Sequence, residues 1–385
     1  MTFEILSHAN AFDGLEPRWN KLIDRSVDAS VFQTFAWQSI WWRVFGKGRE
    51  LRIILAKDGD DLVGVLPVYI ERTPLLPAVG PRKLRLVGYG GDTAPDDLGP
   101  IMAGDDPAPI TETLIDGLLS LKDEWDIAIL DDLDPDSPMI KALSARLGDQ
   151  VTLKPGARIS FVELPETFDG YLAKLSSNRR WKLRRGRKKL HEHKPYRFHV
   201  VASQQELDLY YPELVRLHHE RWEHRSDDFG FSTEGYVDCH RAVMAAMLDQ
   251  DCLRLMLLIG EDGVVMASNY CYRWRGGFYF FQGGFAKDFE RFRIGEVLMG
   301  HAIEQAISEG MRIFDMLRGE HDYKKSLTDA VRTRTHLHIH QPTLRTLSYR
   351  TMRAGYRQVR RFYPQPSDAH GIHAEDAGAQ QERAG

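Results

Sequence analysis

The sequence predicts an α/β protein with mixed sheets, built from two tandem copies of one unit. Residues 51–70 and 253–272 each begin with Leu-Arg, continue as an apolar strand, turn at an Asp/Gly-rich tip and return as a second apolar strand. Asp-Gly between two such runs is the strongest short hairpin signal. Residues 114–133 and 297–317 each give an amphipathic helix and then an apolar strand. The same order found twice predicts a tandem duplication.

The length of the chain agrees with two domains. At 385 residues it exceeds what a single hydrophobic core usually serves. We place the N-terminal domain at 1–155 and the C-terminal domain at 156–342. A basic amphipathic helix over 343–363 and a disordered tail over 364–385 would follow. Two unrelated α+β domains that share ordinary hairpin chemistry remain the alternative.

Composition and charge exclude several classes of protein. The 51 Lys and Arg residues against 55 Asp and Glu leave a net charge of −4. That balance excludes a protein that coats nucleic acid, and no DNA partner is expected. Three cysteines without C-x-x-C spacing fit neither a disulfide framework nor a zinc knuckle. Since the N-terminus lacks a secretory pattern and the longest apolar stretch, 62–70, is too short to cross a bilayer, we expect a cytoplasmic protein.

A glycine-rich passage over 276–300 is the first candidate for a binding site. It reads GGFYFFQGGFAKDFERFRIGEVLMG, an aromatic strand followed by a polar loop with arginines and a helix start. Glycine at a strand end lets a ligand approach the backbone, and a helix N-terminus beside arginine favours phosphate. The predicted cofactor-binding residues are Gln282, Gly283, Gly284, Arg291, Arg293 and Gly295. A glycine-bearing strand followed by an ordinary helix remains the alternative.

Three motifs resemble those of one family. FDMLRGEHDYK over 314–324 resembles a motif F-D-F-L-R-G-D-E-x-Y-K, LHHERW over 217–222 resembles a helix motif L-H-x-x-R-W, and FQTFAWQSIWWRVFG over 32–46 resembles the family's opening. On these motifs the chain resembles the CelD-type acetyltransferase-like domains, a branch of the GNAT N-acetyltransferase superfamily related to the FemABX peptidyltransferases. The resemblance covers most of 30–340 and implies tandem GNAT-like acyl-CoA N-acyltransferase domains.

The resemblance also implies a reaction. Such proteins transfer an acyl group from a thioester such as acetyl-CoA, which is a co-substrate rather than a tightly bound cofactor, to an amine or hydroxyl. In GNAT folds the donor lies between two splayed parallel strands, here 278–283 and 311–317, with its pyrophosphate before the helix at Gly295. The usual phosphate loop is R/Q-x-x-G-x-G/A, whereas Phe292 and Val297 stand at two of its positions here. Because FemABX relatives use another acyl donor, an aminoacyltransferase that uses charged tRNA is the main rival.

Candidate catalytic residues lie in the motif after the second cleft strand. Direct acyl transfer needs a base for the acceptor and a proton donor for the leaving group. Asp315 is the predicted base, because burial raises the pKa of a carboxyl group, and Tyr323 is the predicted acid. Glu320 and Lys324 are predicted to orient or bind substrate. A strand-end cap for Asp315 and packing for Tyr323 are the alternatives.

A basic run over 176–190, SSNRRWKLRRGRKKL, is the second candidate surface. Its eight Lys and Arg residues without an acid predict binding to the phosphates of CoA, a nucleotide sugar, an anionic lipid or nucleic acid. Arg180, Trp181 and Arg184 are the predicted substrate-binding residues, with the indole suited to stacking. A similar basic helix in the CelD-type relatives favours a small phosphate over a polymer. A solvated helix face is the alternative.

Two further patterns carry weaker predictions. In the glycine-rich acidic loop 88–100, Asp92 and Asp97 are predicted to bind sugar hydroxyls or an acceptor amine, so that the first domain supplies the acceptor side. An ordinary turn is the alternative. The alternating histidines of THLHIH over 335–340 are explained more simply as exposed side chains than as ligands, and no metal is expected.

The sequence therefore predicts an acyltransferase. It would transfer an acetyl or other acyl group from acyl-CoA to an amine or hydroxyl of a saccharide-linked acceptor, in polysaccharide or cellulose biosynthesis. The basic helix over 343–363 would allow peripheral association with an anionic membrane or with a polysaccharide synthase. A catalytically degenerate scaffold subunit of such a synthase remains open, as does the tRNA-dependent rival.

Overall fold

A computed structural model describes the chain over residues 1–72, 80–90, 93, 95–104, 106–222, 231–319, 322–349 and 351. The predicted tail at 364–385, and most of the predicted helix at 343–363, lie outside the described residues. The chain forms two compact units: unit 1 comprises 1–89, 95–157 and 333–385, and unit 2 comprises 90–94 and 158–332. Each unit is described by itself below.

Unit 1 begins with the strand and helices that precede the first predicted hairpin. Its elements up to its exit into unit 2 are β1 (Thr2–Leu6), α1 (Glu16–Arg25), α2 (Phe35–Phe45), β2 (Glu50–Asp58), β3 (Asp61–Arg72), β4 (Arg82–Leu86), β5 (Ile101–Met102), α3 (Ala108–Ser120), β6 (Ile127–Leu133), α4 (Pro138–Leu147) and the first half of β7 (Val151–Glu163). The predicted hairpin over 51–70 is confirmed, because β2 and β3 pair antiparallel along their length.

Unit 2 starts within β7, at Arg158. Its further elements are α5 (Phe168–Lys174), α6 (Ser177–His193), β8 (Tyr196–Val200), α7 (Gln204–Trp222), α8 (Glu234–Asp249), β9 (Leu253–Gly260), β10 (Val265–Trp274), β11 (Gly277–Phe285), α9 (Ile294–Ser308), β12 (Ile313–Arg318) and α10 (Asp322–Lys325). The second predicted hairpin, over 253–272, is confirmed as β9 and β10. A last strand, β13 (Val331–His340), belongs to unit 1 from Thr333 onward.

The two units have the same strand order. In unit 1 it is β1-β2-β3-β4-β6-β13, with β5 beside β3, and in unit 2 it is β8-β9-β10-β11-β12-β7. One neighbouring pair in each sheet is parallel, β4 with β6 and β11 with β12. A parallel pair needs a crossover connection, which α3 and α9 supply. The predicted mixed α/β class is confirmed, and the order repeated twice agrees with the tandem arrangement.

The sixth strand of unit 1 follows unit 2 in the chain, whereas the sixth strand of unit 2 lies at the start of the segment 158–332. The strand beside β6 is β13, which follows unit 2 in the chain, and the strand beside β12 is β7, which precedes most of unit 2. The chain therefore leaves unit 1 after Ala157 and returns to it at Thr333, whereas the sequence predicts a second domain over 156–342.

The core of unit 2 fixes its parallel strand pair. Phe278 of β11 and Phe314 of β12 stack with ring centroids 5.5 Å apart, and both side chains are fully buried. Helix α9 packs Val297, Ala302 and Ile303 onto this layer, and α6 adds Leu183 and Leu190. Helix α6 begins where the Ser176 hydroxyl accepts a hydrogen bond from the backbone N–H of Arg179, as expected of an N-cap serine. Among the described helices of both units, none is long and apolar enough to span a membrane.

Candidate functional site

The parallel strands β11 and β12 of unit 2 separate after a short paired stretch. They pair from Gly277 with Ile313 to Tyr279 with Asp315, and no further pair joins the described residues of these two strands. The pairing of β12 with β7 is irregular between Asp315 and Arg318, where Leu317 takes a left-handed φ of 51°. We call the region between β11 at 280–285 and β12 at 316–318 the strand gap. A gap between parallel strands leaves the backbone of β11 able to pair with a ligand.

Asp315 is fully buried at the start of the gap. One carboxylate oxygen accepts a hydrogen bond from the N–H of Leu317 at 2.7 Å, and the other forms an ion pair with Arg332. These contacts hold the left-handed turn at Leu317, which costs energy for a branched side chain. The environment does not suit the predicted general base, because a base must reach a substrate proton and this carboxylate is committed to the protein.

Lys324 completes the same support. Its ammonium donates to the carbonyl oxygens of Met316, Leu317 and Arg318 at 2.7, 3.0 and 2.6 Å, and the residue is 2% exposed. This burial disagrees with the predicted contact to substrate, since the ammonium group is bound to the backbone carbonyls of β12. We refer to Asp315, Lys324 and Arg332 as the backbone clamp. The clamp fixes the backbone of β12 at the place where its pairing with β11 stops.

Tyr323 lies at the gap, beside Arg221 from the last turn of α7. The guanidinium of Arg221 donates to the carbonyl oxygen of Gly283 at 3.0 Å. Its Cζ is 5.0 Å from the ring centroid of Phe285 and 5.4 Å from that of Tyr323. Burial raises the pKa of Tyr323 to about 12, although the Arg221 charge acts in the opposite direction. The phenol is therefore protonated at neutral pH, as a general acid must be. The predicted Glu320 lies outside the described residues.

Gly283 and Gly284, near the end of β11, lie against other parts of the protein that leave no space for a side chain. A Cβ on Gly284 would lie 2.3 Å from the backbone nitrogen of His218, and a Cβ on Gly283 would lie 2.5 Å from Oδ1 of Asn269. Helix α7 thus packs directly on the strand, which places Arg221 at the gap. The predicted close approach of a ligand is replaced by helix α7 at Gly284 and by Asn269 and Ser268 of β10 at Gly283. Gln282, the residue before them, has a buried side-chain oxygen without a hydrogen-bond partner among the described residues.

The start of α9 departs from a phosphate-binding loop. Arg293 adopts a left-handed φ of 59° as the N-cap residue, and its guanidinium forms an ion pair with Glu296 in the first turn. A Cβ on Gly295 would lie 3.2 Å from the Phe285 ring, and Val297 lies against Gly186 of α6. Arg291 is exposed, with its Cζ 4.8 Å from the Phe292 ring. A carboxylate in the first turn and a helix packed across it disfavour a pyrophosphate at this N-terminus.

Helix α6 separates its cations into two sets. Toward the protein, Arg179 forms a bidentate pair with Asp329 at 2.6 and 2.7 Å, and Arg187 pairs with Glu304 at 2.8 Å. The exposed positions 181, 184, 185 and 188 recur at helical spacing on the other side. Their members are Trp181, which is 54% exposed, Arg184, Arg185 and Lys188.

The predicted residues of α6 divide between these two sets. Of the three predicted binding residues, Trp181 and Arg184 belong to the exposed set, whereas Arg180 is half-buried and donates to the carbonyl of Leu172 at 3.4 Å. The Cζ of Arg185 lies 4.8 Å from the Trp181 ring. Within the exposed set, Arg184 lies 3.7 Å from Asp169 and Lys188 lies 3.7 Å from Glu192, and all of these side chains face solvent.

In unit 1 the corresponding strand end is filled by charged side chains. Arg334 pairs with both oxygens of Asp97, Nε with Oδ1 at 2.7 Å and Nη2 with Oδ2 at 2.9 Å, so this predicted acceptor-binding carboxylate is committed to an ion pair. Asp131 pairs with Arg85 at 2.8 Å and lies 3.1 Å from Nδ1 of His336. The predicted Asp92 lies outside the described residues. Within the described ranges, no group of three or more His, Cys, Asp or Glu side chains is placed to hold a metal ion.

Comparison with known families identifies the class of domain in unit 2. Residues 177–325, less than half of the chain, match a family model described as an acetyltransferase (GNAT) domain. Residues 177–325 therefore match a GNAT-type acetyltransferase domain, and this match supports a transferase. GNAT domains use acetyl-CoA as co-substrate. A search of curated proteins finds no match.

Solved structures share the fold at low sequence identity. FemX is 12% identical, with a TM-score of 0.57, over 94% of this chain and 100% of that chain. L-PGS from Bacillus licheniformis is 13% identical, with a TM-score of 0.54, over 88% and 96%. A conserved protein from Bacteroides thetaiotaomicron VPI-5482 is 13% identical, with a TM-score of 0.54, over 88% and 100%. At these identities the likeness shows the fold alone.

Proposed function

We propose that unit 2 transfers an acyl group from an activated donor to an amine or hydroxyl at the strand gap. The observation that carries this proposal is the protonated Tyr323 placed by Arg221 where β11 and β12 separate. The edge of β11 beyond Tyr279, which no described residue of β12 pairs, is suited to an amide-bearing donor chain, because backbone groups there can complete the ladder with a ligand. The family match to an acetyltransferase (GNAT) domain supports acyl transfer as the reaction class.

In this reaction the acceptor nitrogen or oxygen attacks the acyl carbonyl carbon. The new C–N or C–O bond forms as the bond from carbon to the leaving group breaks, and the electron pair of that bond goes to the leaving atom. The Tyr323 hydroxyl gives a proton or a hydrogen bond to that atom. The acceptor proton passes to solvent water, since Asp315, the base that the sequence predicts, is buried in its ion pair.

Acetyl-CoA is the first donor to test. It is the co-substrate that the family match implies, and CoA carries the phosphates that the exposed cations of α6 and Arg291 would attract. The acceptor we propose is a saccharide-linked amine or hydroxyl in polysaccharide or cellulose biosynthesis. The CelD-type resemblance supports this class of acceptor. Because acyl-CoA is a cytoplasmic metabolite, we place the reaction in the cytoplasm.

An aminoacyl ester of tRNA is the second candidate donor. It is favoured by the Glu296 carboxylate in the first turn of α9, which repels a pyrophosphate there, and by the exposed cations of α6. The proton donor also fits, since a ribose alkoxide is a stronger base than a thiolate and is better matched to a phenol with a pKa of about 12. A scaffold without catalysis is the outcome if neither donor binds.

Titration of acetyl-CoA into the purified chain by calorimetry tests the donor. The double variant R291A/R293A tests whether the start of α9 contributes to binding. The matched control is Arg241→Ala, which removes an exposed arginine from α8. Micromolar binding that only the double variant loses supports acyl-CoA. If acetyl-CoA does not bind while charged tRNA binds with a steep dependence on salt, the second donor replaces it. Binding of neither refutes acyl transfer from these donors.

A further inference from the structure

Arg221 contacts both sides of the strand gap. It lies in the last turn of α7, donates to the Gly283 carbonyl of β11 and has its Cζ 5.4 Å from the ring centroid of Tyr323, which follows β12 in the chain. The Phe285 ring lies 5.0 Å from its Cζ, within the range of a cation–π contact. A single planar group therefore fixes the phenol relative to the edge of β11.

Helix α7 is itself held against the strand. The backbone of Leu217 and His218 packs on Gly284 with no room for a side chain there. The Glu220 carboxylate accepts a hydrogen bond from the backbone N–H of Lys287 at 2.8 Å, which ties the end of the helix to the loop after β11. The position of Arg221 is thus determined by rigid packing on one side and by a loop contact on the other.

The electrostatics of the pair also favour proton transfer. Burial raises the pKa of Tyr323, because it disfavours the phenolate. The Arg221 charge lowers that pKa, because it stabilises the phenolate that remains once the proton has left. A cation beside the proton donor therefore reduces the free energy of the transition state in which the proton is shared.

We propose that Arg221 is the positioning residue of acyl transfer in unit 2, holding the Tyr323 hydroxyl at the edge of β11 and stabilising its phenolate. The proposal rests on the proposed acyl transfer. A lysine cannot replace this arginine, since a compact ammonium does not reproduce the planar fork that serves Gly283 and Tyr323 together. Arg221 acts through Tyr323, so its effect depends on that hydroxyl.

A double-mutant cycle with acetyl-CoA tests this dependence. Thiol release is measured for the wild type, R221K, R221Q, Y323F and R221Q/Y323F. We expect Y323F to lower kcat by about a hundredfold or more, and R221K to lower it by about ten- to hundredfold with little change in KM. In the Y323F background, R221Q should lower kcat by less than about threefold. Independent effects that multiply would overturn the proposal.

Arg216 offers the matched control. It lies on the same helix, donates to a backbone carbonyl, that of Val265, at 3.1 Å and pairs with Glu213 and Glu220, but it does not contact Tyr323 in any described interaction. R216K should leave kcat within about threefold of the wild type. A donor with a better leaving group, S-phenyl thioacetate, should shrink the loss of kcat in both R221K and Y323F, because its thiolate needs less help from an acid. An equal loss of kcat with acetyl-CoA and with the phenyl thioester would contradict the positioning role of Arg221.

A second measurement is independent of turnover. With 3-fluorotyrosine at position 323, fluorine NMR follows ionisation of the phenol directly. The pKa of this group should be higher in R221Q than in the wild type, because the stabilising charge is gone. If the wild type releases no thiol, the proposed donor fails, but this titration still decides the pairing. An unchanged pKa would overturn the role of Arg221, whatever the activity.

Discussion

Replacement of Lys324 by methionine tests the backbone clamp. The methionine keeps the length of the side chain and removes an ammonium that donates to three successive carbonyls at 2.6 to 3.0 Å. Because the residue is 2% exposed, water replaces these bonds poorly. Each carbonyl left without a partner costs about 1–3 kcal/mol. Since some relaxation follows, we expect a total loss of about 3–6 kcal/mol, which is a large part of the stability of an ordinary domain.

The assay is urea unfolding followed by tryptophan fluorescence, with the midpoint and slope fitted for each variant. Lys325→Met is the matched control, since the neighbouring lysine is exposed and its loss should change stability by less than about 0.5 kcal/mol. Hydrogen exchange adds a local measurement, because loss of the three bonds to the carbonyls of 316–318 should speed amide exchange in β12. A Lys324→Met variant within about 1 kcal/mol of the wild type would refute the clamp.

The remaining predictions concern three other buried positions. Asp315→Asn should lower the free energy of unfolding by about 3 kcal/mol, since it leaves Arg332 without its buried partner. Thiol release per folded molecule should stay within about tenfold of the wild type. A larger loss of turnover would restore Asp315 as the base. Gly284→Ala should destabilise by about 1–3 kcal/mol or more, because the new Cβ meets the backbone of α7 at 2.3 Å; unfolding in urea measures it, and a neutral effect would contradict the packing. His240 is buried, and burial lowers its pKa to about 3, so its contribution to stability is present above the unfolded pKa of about 6.5 and is lost as the pH falls, by about 2 kcal/mol between pH 7 and pH 5. In His240→Phe the decline in stability over that interval should be smaller by about this amount, and parallel curves for the two proteins would exclude the effect.

The secondary structure around the gap was predictable because it depends on local patterns. The hairpins follow from apolar runs on either side of Asp/Gly turns, and α9 ends where Gly310 takes a φ of 71°. A C-terminal glycine of this kind is readable from the sequence alone. The strand order of unit 2 then follows from one crossover helix between parallel strands.

The roles of the site residues were less predictable, because they depend on partners distant in the chain. The sequence alone predicts that Lys324 is an exposed binding residue. In the fold its ammonium binds three carbonyls of β12 instead. Arg332, the partner of Asp315, has no local signal, since it lies in a strand among other charged residues. Arg221 did have a signal, the L-H-x-x-R-W motif, but its contact with Tyr323 exists only in the folded chain.

The glycines illustrate the same limit. A Gly-Gly pair at the end of a strand indicates that something approaches the backbone closely, and this much was correct. Whether a ligand or a helix approaches depends on where α7 packs, which no local pattern fixes. Likewise, the arginine before α9 predicts an anion site only until Glu296 is found to neutralise it.

The origin of the sixth strand in each sheet affects how the chain is made. While the ribosome is still translating unit 2, the first sheet lacks β13, so the edge of β6 has no neighbour on that side. An unpaired strand edge is a template for aggregation. The first sheet can therefore be completed only after Thr333–His340 leaves the exit tunnel, so its edge at β6 stays open while unit 2 is being made. A fragment that stops before residue 333 would carry that exposed edge permanently.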